Sequence, residues 1–267
     1  MRLPFTLKKI LMFFIPSVGY PKLIIDKSRK KVAFDLYPQN FGRALILTMF
    51  MTEISKIFTC KTKIDVAVVG GYLLEPEILA LELLEIETKI TFFGVDDGIN
   101  YLNLNEESSS DHCLYGEFDL VLCSQVWEHI WNHEVALKNL KQIVKKNGYL
   151  WLACPTSNRP HSSPSYYCAG FTSEYLTNNL SNLGFEISAS GQLGTKRNYR
   201  ATHSLPTWLS VHGHRFPPTG AFSQRGLTPR IAYSIRYSIT TILLLFNSPR
   251  ISDHDDCATE TWVLARN

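Results

Sequence analysis

Over residues 63–193 short apolar runs alternate with segments of helical spacing, and this alternation constrains the fold more than any other feature. Ile64, Val66, Val68 and Val69 make a β-branched run that ends at Gly70-Gly71, the pattern of a strand buried on both faces. Pro76 then stands in a first helical turn, and Ile78, Leu79, Leu81, Leu83 and Leu84 supply an apolar face to about Glu87. "KITFFGVDDG" is a second strand closing at Asp96-Asp97-Gly98, a short strand is expected at 100–104, and "EFDLVLCSQ" is a strand over 119–124. Asn132 is placed to cap the helix "HEVALKNLKQIVKK", in which Ala136, Leu137, Leu140, Ile143 and Val144 recur at helical spacing and Asn147-Gly148 supply the stop. "YLWLACP" is the next strand, 172–183 a helix stopped by Gly184, and a further strand starts at Phe185. Strands joined by such helices require right-handed βαβ crossovers, hence an α/β fold with a mostly parallel sheet covered on both faces.

Residues 1–62 read as a helical lead-in or cap, and 63–267 as the main domain. Its core is expected at 63–193, with a helical insertion at about 200–250 and a last strand at about 258–265. Within the insertion Thr228 and Pro229 open a helix that runs to about 246. Two apolar segments, 5–15 and 239–246, read as caps on the core, with peripheral membrane contact as the alternative. Both fall short of the ~20 residues that span a bilayer. The first also lacks the apolar length and cleavage site of a signal peptide. Six cysteines with no C-x-x-C pair point to free thiols in a reducing, cytoplasmic setting. A net charge of +3 is too mild to argue for a nucleic-acid surface, so no nucleic-acid partner is expected. His203, His212 and His214 match no zinc spacing, so no metal is expected.

In an open α/β sheet, ligands bind beyond the carboxyl ends of the strands, near the point where strand order reverses. Gly70 and Gly71 follow the first strand, where missing side chains let the backbone turn and a ligand approach; an ordinary turn would use them equally well. Asp96 and Asp97 end the second strand, where a carboxylate can accept both hydroxyls of a ribose or simply face water. Asn103 and Asn105 lie near the third strand. Ser124, Gln125, Glu128 and His129 follow the fourth, and the loop at 155–161, with His161, follows the fifth.

The stretch "FDLVLCSQVWEHIWNHEVALKNLKQIVKKNGYLWLACP" resembles the class I S-adenosylmethionine-dependent methyltransferases, in particular their small-molecule type 11/type 23 branch. There a strand F-D-L-V is followed by a V-[LW]-E-H-[IV] turn, a helix, a K-x-[GN]-G stop and a strand ending in proline, all present here from Phe118 to Pro155. "YYCAGFTSEYLTNNLSNLGFEI" is similar to a later segment of the same group. The resemblance implies a Rossmann-like, seven-stranded sheet of order 3-2-1-4-5-7-6 and S-adenosyl-L-methionine as cofactor. It also implies methyl transfer to a small-molecule or glycan acceptor, at oxygen. Gly70 and Gly71 would border the cofactor's methionine part, Asp96 with Asp97 its ribose, and Asn103 its adenine, while Ser124, Gln125 and Glu128 close over the methionyl end. A hydroxyl acceptor would require a base, for which His161 and His129 are the candidates. The chain departs from the group at its first motif: Val68 stands at the acidic position and one spaced glycine is missing. Glu75 or Glu77 would then meet the cofactor's ammonium, or would merely complement the helix dipole. That thinned motif motivates the alternative of a catalytically silent binding or scaffold protein. A nicotinamide-dependent enzyme is disfavoured, because Glu75 and Glu77 would repel a pyrophosphate at the helix start.

Overall fold

The computed structural model describes residues 23–26, 31–34, 41–58, 62–71, 75–95, 100–108, 116–157, 165–194 and 258–267. Strands β1 (Leu23–Asp26) and β2 (Lys31–Phe34) pair as an antiparallel hairpin, followed by α1 (Phe41–Ile57). The alternating region holds β3 (Lys63–Val69), α2 (Pro76–Leu83), β4 (Glu87–Gly94), β5 (Asn100–Tyr101), β6 (Phe118–Ser124), α3 (His133–Ile143), β7 (Val144–Pro155), α4 (Ser173–Asn182) and β8 (Glu186–Leu193). The last element is β9 (Glu260–Arg266).

Seven strands join in one sheet of order β5-β4-β3-β6-β7-β9-β8. Counted from β3, this is 3-2-1-4-5-7-6. All pairings are parallel except those of β9, which runs antiparallel between β7 and β8. Alternation along the central strands sorts the core into two faces. Val121, Cys123, Leu150, Leu152 and Val263 pack with α3 and α4, while Leu120, Leu122, Trp151, Trp262 and Leu264 pack with α1 and α2. Under α1, Phe50 meets Trp151 edge-on at 5.0 Å and Trp151 stacks on Trp262 at 5.2 Å, all three almost wholly buried.

Three local expectations are revised. The lead-in read as helical also contains the β1–β2 hairpin. Helix α2 closes at Leu83 rather than near Glu87, because Leu84 and Ile86 donate back to Ala80 and Leu81 while Glu85 takes a left-handed conformation (φ 57°). Helix α3 stops at Ile143, four residues before Asn147: Val144 turns extended and pairs with Phe118 of β6, so strand pairing overrides helical spacing. Asn147 instead makes a left-handed bend inside β7 (φ 66°). Its N–H donates to Asn267 and its side chain accepts from Arg266, tying the start of β7 to the end of β9. The helix expected at 229–246 lies outside the described residues.

Candidate active site

Strand order reverses between β3 and β6, and the turns leaving these two strands touch. Gly70 has φ +71° and donates its N–H to the Phe93 carbonyl at 2.8 Å. A Cβ at Gly70 would stand 2.7 Å from Cγ2 of Val126, the residue two beyond β6, so only glycine lets the turns meet. A Cβ at Gly71 would stand 2.8 Å from both Cγ of Glu75 and Cγ1 of Val68. Glu75, the residue capping α2, therefore folds its side chain back over the Gly71 turn. Glu77, in the first turn of the same helix, is buried instead.

In the loop after β5, Asn103 Oδ1 accepts from Asn105 N–H at 3.0 Å, closing a local turn. Asn105 Oδ1 in turn accepts from the N–H groups of Trp131 (2.9 Å) and Asn132 (3.2 Å), which ties the loop after β5 to the exit of β6. Buried Asn139 of α3 donates to the carbonyls of Glu106 (2.8 Å) and Asn103 (3.4 Å) and accepts from Ser108. The loop that carries Asn103 is thus held by Asn105 and Asn139. Asn139 was hidden in a helix whose sequence reads only as amphipathic. Asp96, Asp97 and His161 lie outside the described residues.

The exit of β6 is dense with bonds. Ser124 Oγ is buried with no hydrogen-bond partner among the described residues. Gln125 is left-handed (φ 58°), donates its N–H to Ala153 at 2.7 Å, and donates Nε2 to Glu260 Oε2 at 2.9 Å. A 3-10 turn, Trp127–His129, follows. The carbonyl of Glu128 accepts from the N–H groups of Tyr167 (3.0 Å) and Cys168 (3.3 Å), and the Glu128 side chain is almost wholly buried. His129 Nδ1 lies on the Ser165 carbonyl, its Nε2 is 4.0 Å from Glu128 Oε1, and its ring meets Tyr166 edge-on. The E-H pair therefore clamps the segment at 165–168, the return of the loop that carries His161.

His133 stacks on Trp127 (5.0 Å) and meets Phe171 edge-on (4.9 Å). The tautomer with its proton on Nε2 donates to the Trp127 carbonyl at 3.4 Å and accepts the Tyr175 hydroxyl on Nδ1 at 3.3 Å. Burial holds its pKa below the ordinary value, so the ring is neutral at pH 7. Burial, with the charge of Glu128 added, pushes the Cys123 thiol up to about 12. The Cys154 thiol is also pushed well up, by burial and then by Glu128 and Glu260.

Sequence reasoning missed Glu260. Because β9 is antiparallel, its first residue arrives at the carboxyl edge of the parallel strands, opposite Pro155 and Leu193, where Glu260 is 9% exposed. The signal available was an acid opening the alternating segment "ATETWVLARN". Among the described residues no group of His, Cys, Asp and Glu is arranged to hold a metal ion, and no helix is long and apolar enough to cross a membrane. A left-handed glycine turn, an acid folded over it and a buried hydroxyl lacking a partner fit the methionine end of S-adenosylmethionine.

A family model described as a methyltransferase domain, the type 23 group, matches residues 33–190, from within β2 to within β8. No curated protein matches the sequence. Among solved structures, a putative sarcosine dimethylglycine methyltransferase from Galdieria sulphuraria aligns at TM-score 0.52 and 7% identity, over 97% of each chain, and shares the fold. A SAM-dependent methyltransferase from Archaeoglobus fulgidus aligns at TM-score 0.44 and 15% identity, covering 84% of this chain and 94% of its own. One from Mesorhizobium loti aligns at TM-score 0.45 and 10% identity, covering 86% and 100%. The sheet order, the turn after β6 and a family match over more than half the chain agree: this chain belongs to the methyltransferase-domain family and is an S-adenosylmethionine-dependent methyltransferase.

Proposed function

We propose that the chain transfers a methyl group from S-adenosylmethionine to a hydroxyl of a small-molecule or glycan acceptor in the cytoplasm. The observation that carries the site assignment is the contact between the Gly70 turn and Val126 at the strand-order reversal, with Glu75 lying over Gly71. The described cysteines, Cys123, Cys154 and Cys168, are free, which suits a reducing compartment.

When bound, the cofactor supplies a methyl group activated by a positively charged sulfur. The chain's own part is placement. Gly70 and Gly71 bring backbone to the methionine portion, and Glu75 supplies there the negative charge that Val68 does not. Asp96 and Asp97 receive the ribose and Asn103 borders the adenine, while Ser124, Gln125 and Glu128 form the floor at the reacting end. Holding donor and acceptor at attack distance out of water can supply roughly 7–11 kcal/mol of rate enhancement without covalent participation by the protein. His161 is the residue assigned to take the acceptor's proton. His129, whose Nδ1 faces the Ser165 carbonyl, is better placed to orient the loop that bears it.

Calorimetric titration with S-adenosylhomocysteine tests the reading. Micromolar binding is expected, abolished by Asp96→Ala and weakened about tenfold by Glu75→Gln. Undiminished binding in Asp96→Ala would remove the ribose assignment.

A further inference from the structure

Glu260 has no part in the reading above, yet it is a largely buried carboxylate at this edge that a side-chain hydrogen bond from Gln125 holds. Neighbouring strands lie about 4.8 Å apart, so β9, two strands from β6, is roughly 10 Å from it. Glu260 Oε2 nevertheless sits 2.9 Å from Nε2 of Gln125, the residue immediately after β6. The side chain must therefore lean back across the end of β7 toward the crevice. Gln125 meets it from a left-handed conformation, φ 58°, that costs a non-glycine residue energy and that the Ala153 carbonyl fixes through the Gln125 N–H. Alternation puts Glu260 on the same sheet face as Trp262 and Leu264, the face that also carries Val68. The acid absent from the β3 exit thus has a counterpart arriving from the far side of the reversal point. Its charge reaches inward as well, as the buried Cys154 thiol registers both Glu128 and Glu260.

The donor carries a positive charge at sulfur that its demethylated product lacks, and the two are otherwise nearly the same shape. A fixed, largely buried carboxylate at this end attracts the sulfonium of the first, and the thioether of the second offers it no charge, while the ammonium and carboxylate common to both cancel in the comparison. We propose that Glu260, held by Gln125, makes the site prefer the cationic methyl donor over its neutral product, so that transfer of the methyl group itself loosens the spent cofactor. This rests on the assignment of the crevice to S-adenosylmethionine.

The test is calorimetry on the full chain with three probes: S-adenosylmethionine, S-adenosylhomocysteine, and sinefungin, which bears an ammonium in place of the methylated sulfur. The unmodified chain should bind the two cations about tenfold more tightly than the neutral product. Glu260→Gln, nearly isosteric, should cut that preference about threefold or more, the rest being left to Glu128 and Glu75, while S-adenosylhomocysteine affinity stays within about twofold, and Glu260→Asp should retain more of it. Gln125→Gly keeps the left-handed backbone accessible but removes the side-chain donor, and is expected to give an intermediate preference; it carries the same readout if Glu260→Gln does not fold. Equal weakening of all three probes by Glu260→Gln would show a merely structural role and overturn the proposal, as would an unchanged preference. If the unmodified chain does not bind S-adenosylhomocysteine at all, it is the cofactor assignment that fails, and the proposal falls with it.

Discussion

The two turns that meet at the reversal point are built by opposite means. The exit of β3 is shaped by space: Gly70 is glycine because Val126 occupies the volume a side chain would need, and Gly71 because Val68 and Glu75 do. The exit of β6 is shaped by bonds. Gln125 is tied to Ala153 and Glu260, the Glu128 carbonyl to Tyr167 and Cys168, and the N–H groups of Trp131 and Asn132 to Asn105. A turn defined by sterics fails when volume is added to it. A turn defined by bonds fails when a partner is removed.

The comparison breaks most sharply at Gly70. Gly70→Val puts a β-branched side chain at φ +71° with its first carbon 2.7 Å from Val126 Cγ2. Backbone strain of about 1–2 kcal/mol and overpacking of similar size should together cost about 3 kcal/mol in denaturant unfolding and abolish S-adenosylhomocysteine binding. Adding Val126→Ala should recover the packing part alone; full recovery would mean that backbone conformation is irrelevant there.

At the bonded turn the expected loss is smaller and distributed. Asn105→Ala leaves two N–H groups without their acceptor and should cost about 1–2 kcal/mol, with cofactor affinity falling but not vanishing. A loss as large as that of Gly70→Val would erase the distinction between the turns.

His133 sharpens the comparison through pH. Its folded-state pKa lies below the ordinary 6.5, so the unfolded chain takes up the proton more readily than the folded one. The stability linked to this ring is therefore complete above pH 6.5 and declines as pH falls, and His133→Gln should flatten that slope in thermal unfolding between pH 5 and 7. The gentlest probe is Cys123 at the end of β6. With its thiol raised from 9.0 to about 12, it should resist iodoacetamide in the folded protein at pH 8.5 and react once the chain is unfolded, as read by mass spectrometry. The same shift means that stability is unaffected by this group below pH 9 and falls as pH rises toward 12, because the unfolded thiol ionises first.

The sheet was legible because its strands are short apolar runs separated by capped helices. Asn132 accepts from Val135 N–H, and Thr172 from Tyr175 N–H, at the expected starts of α3 and α4. What escaped was decided by distant partners. Val144 belongs to β7 because Phe118 is there to pair with it. Glu260 meets Gln125 across 135 positions, a separation at which no local pattern speaks. Asn105 was visible as a polar residue near a strand end, but its two backbone partners belong to a turn that only the folded chain brings alongside.

The junction of β8 and β9 has a consequence for how such a protein can diversify. Thr259 N–H donates to the Leu193 carbonyl at 2.8 Å, and the Thr259 carbonyl accepts from Thr156 N–H at 3.1 Å. The chain between them thus leaves the sheet and returns to it at a single spot, on the rim beside Glu260. Closing a loop costs only slowly more as it lengthens, so the strands scarcely register how much sequence is spliced in at that spot.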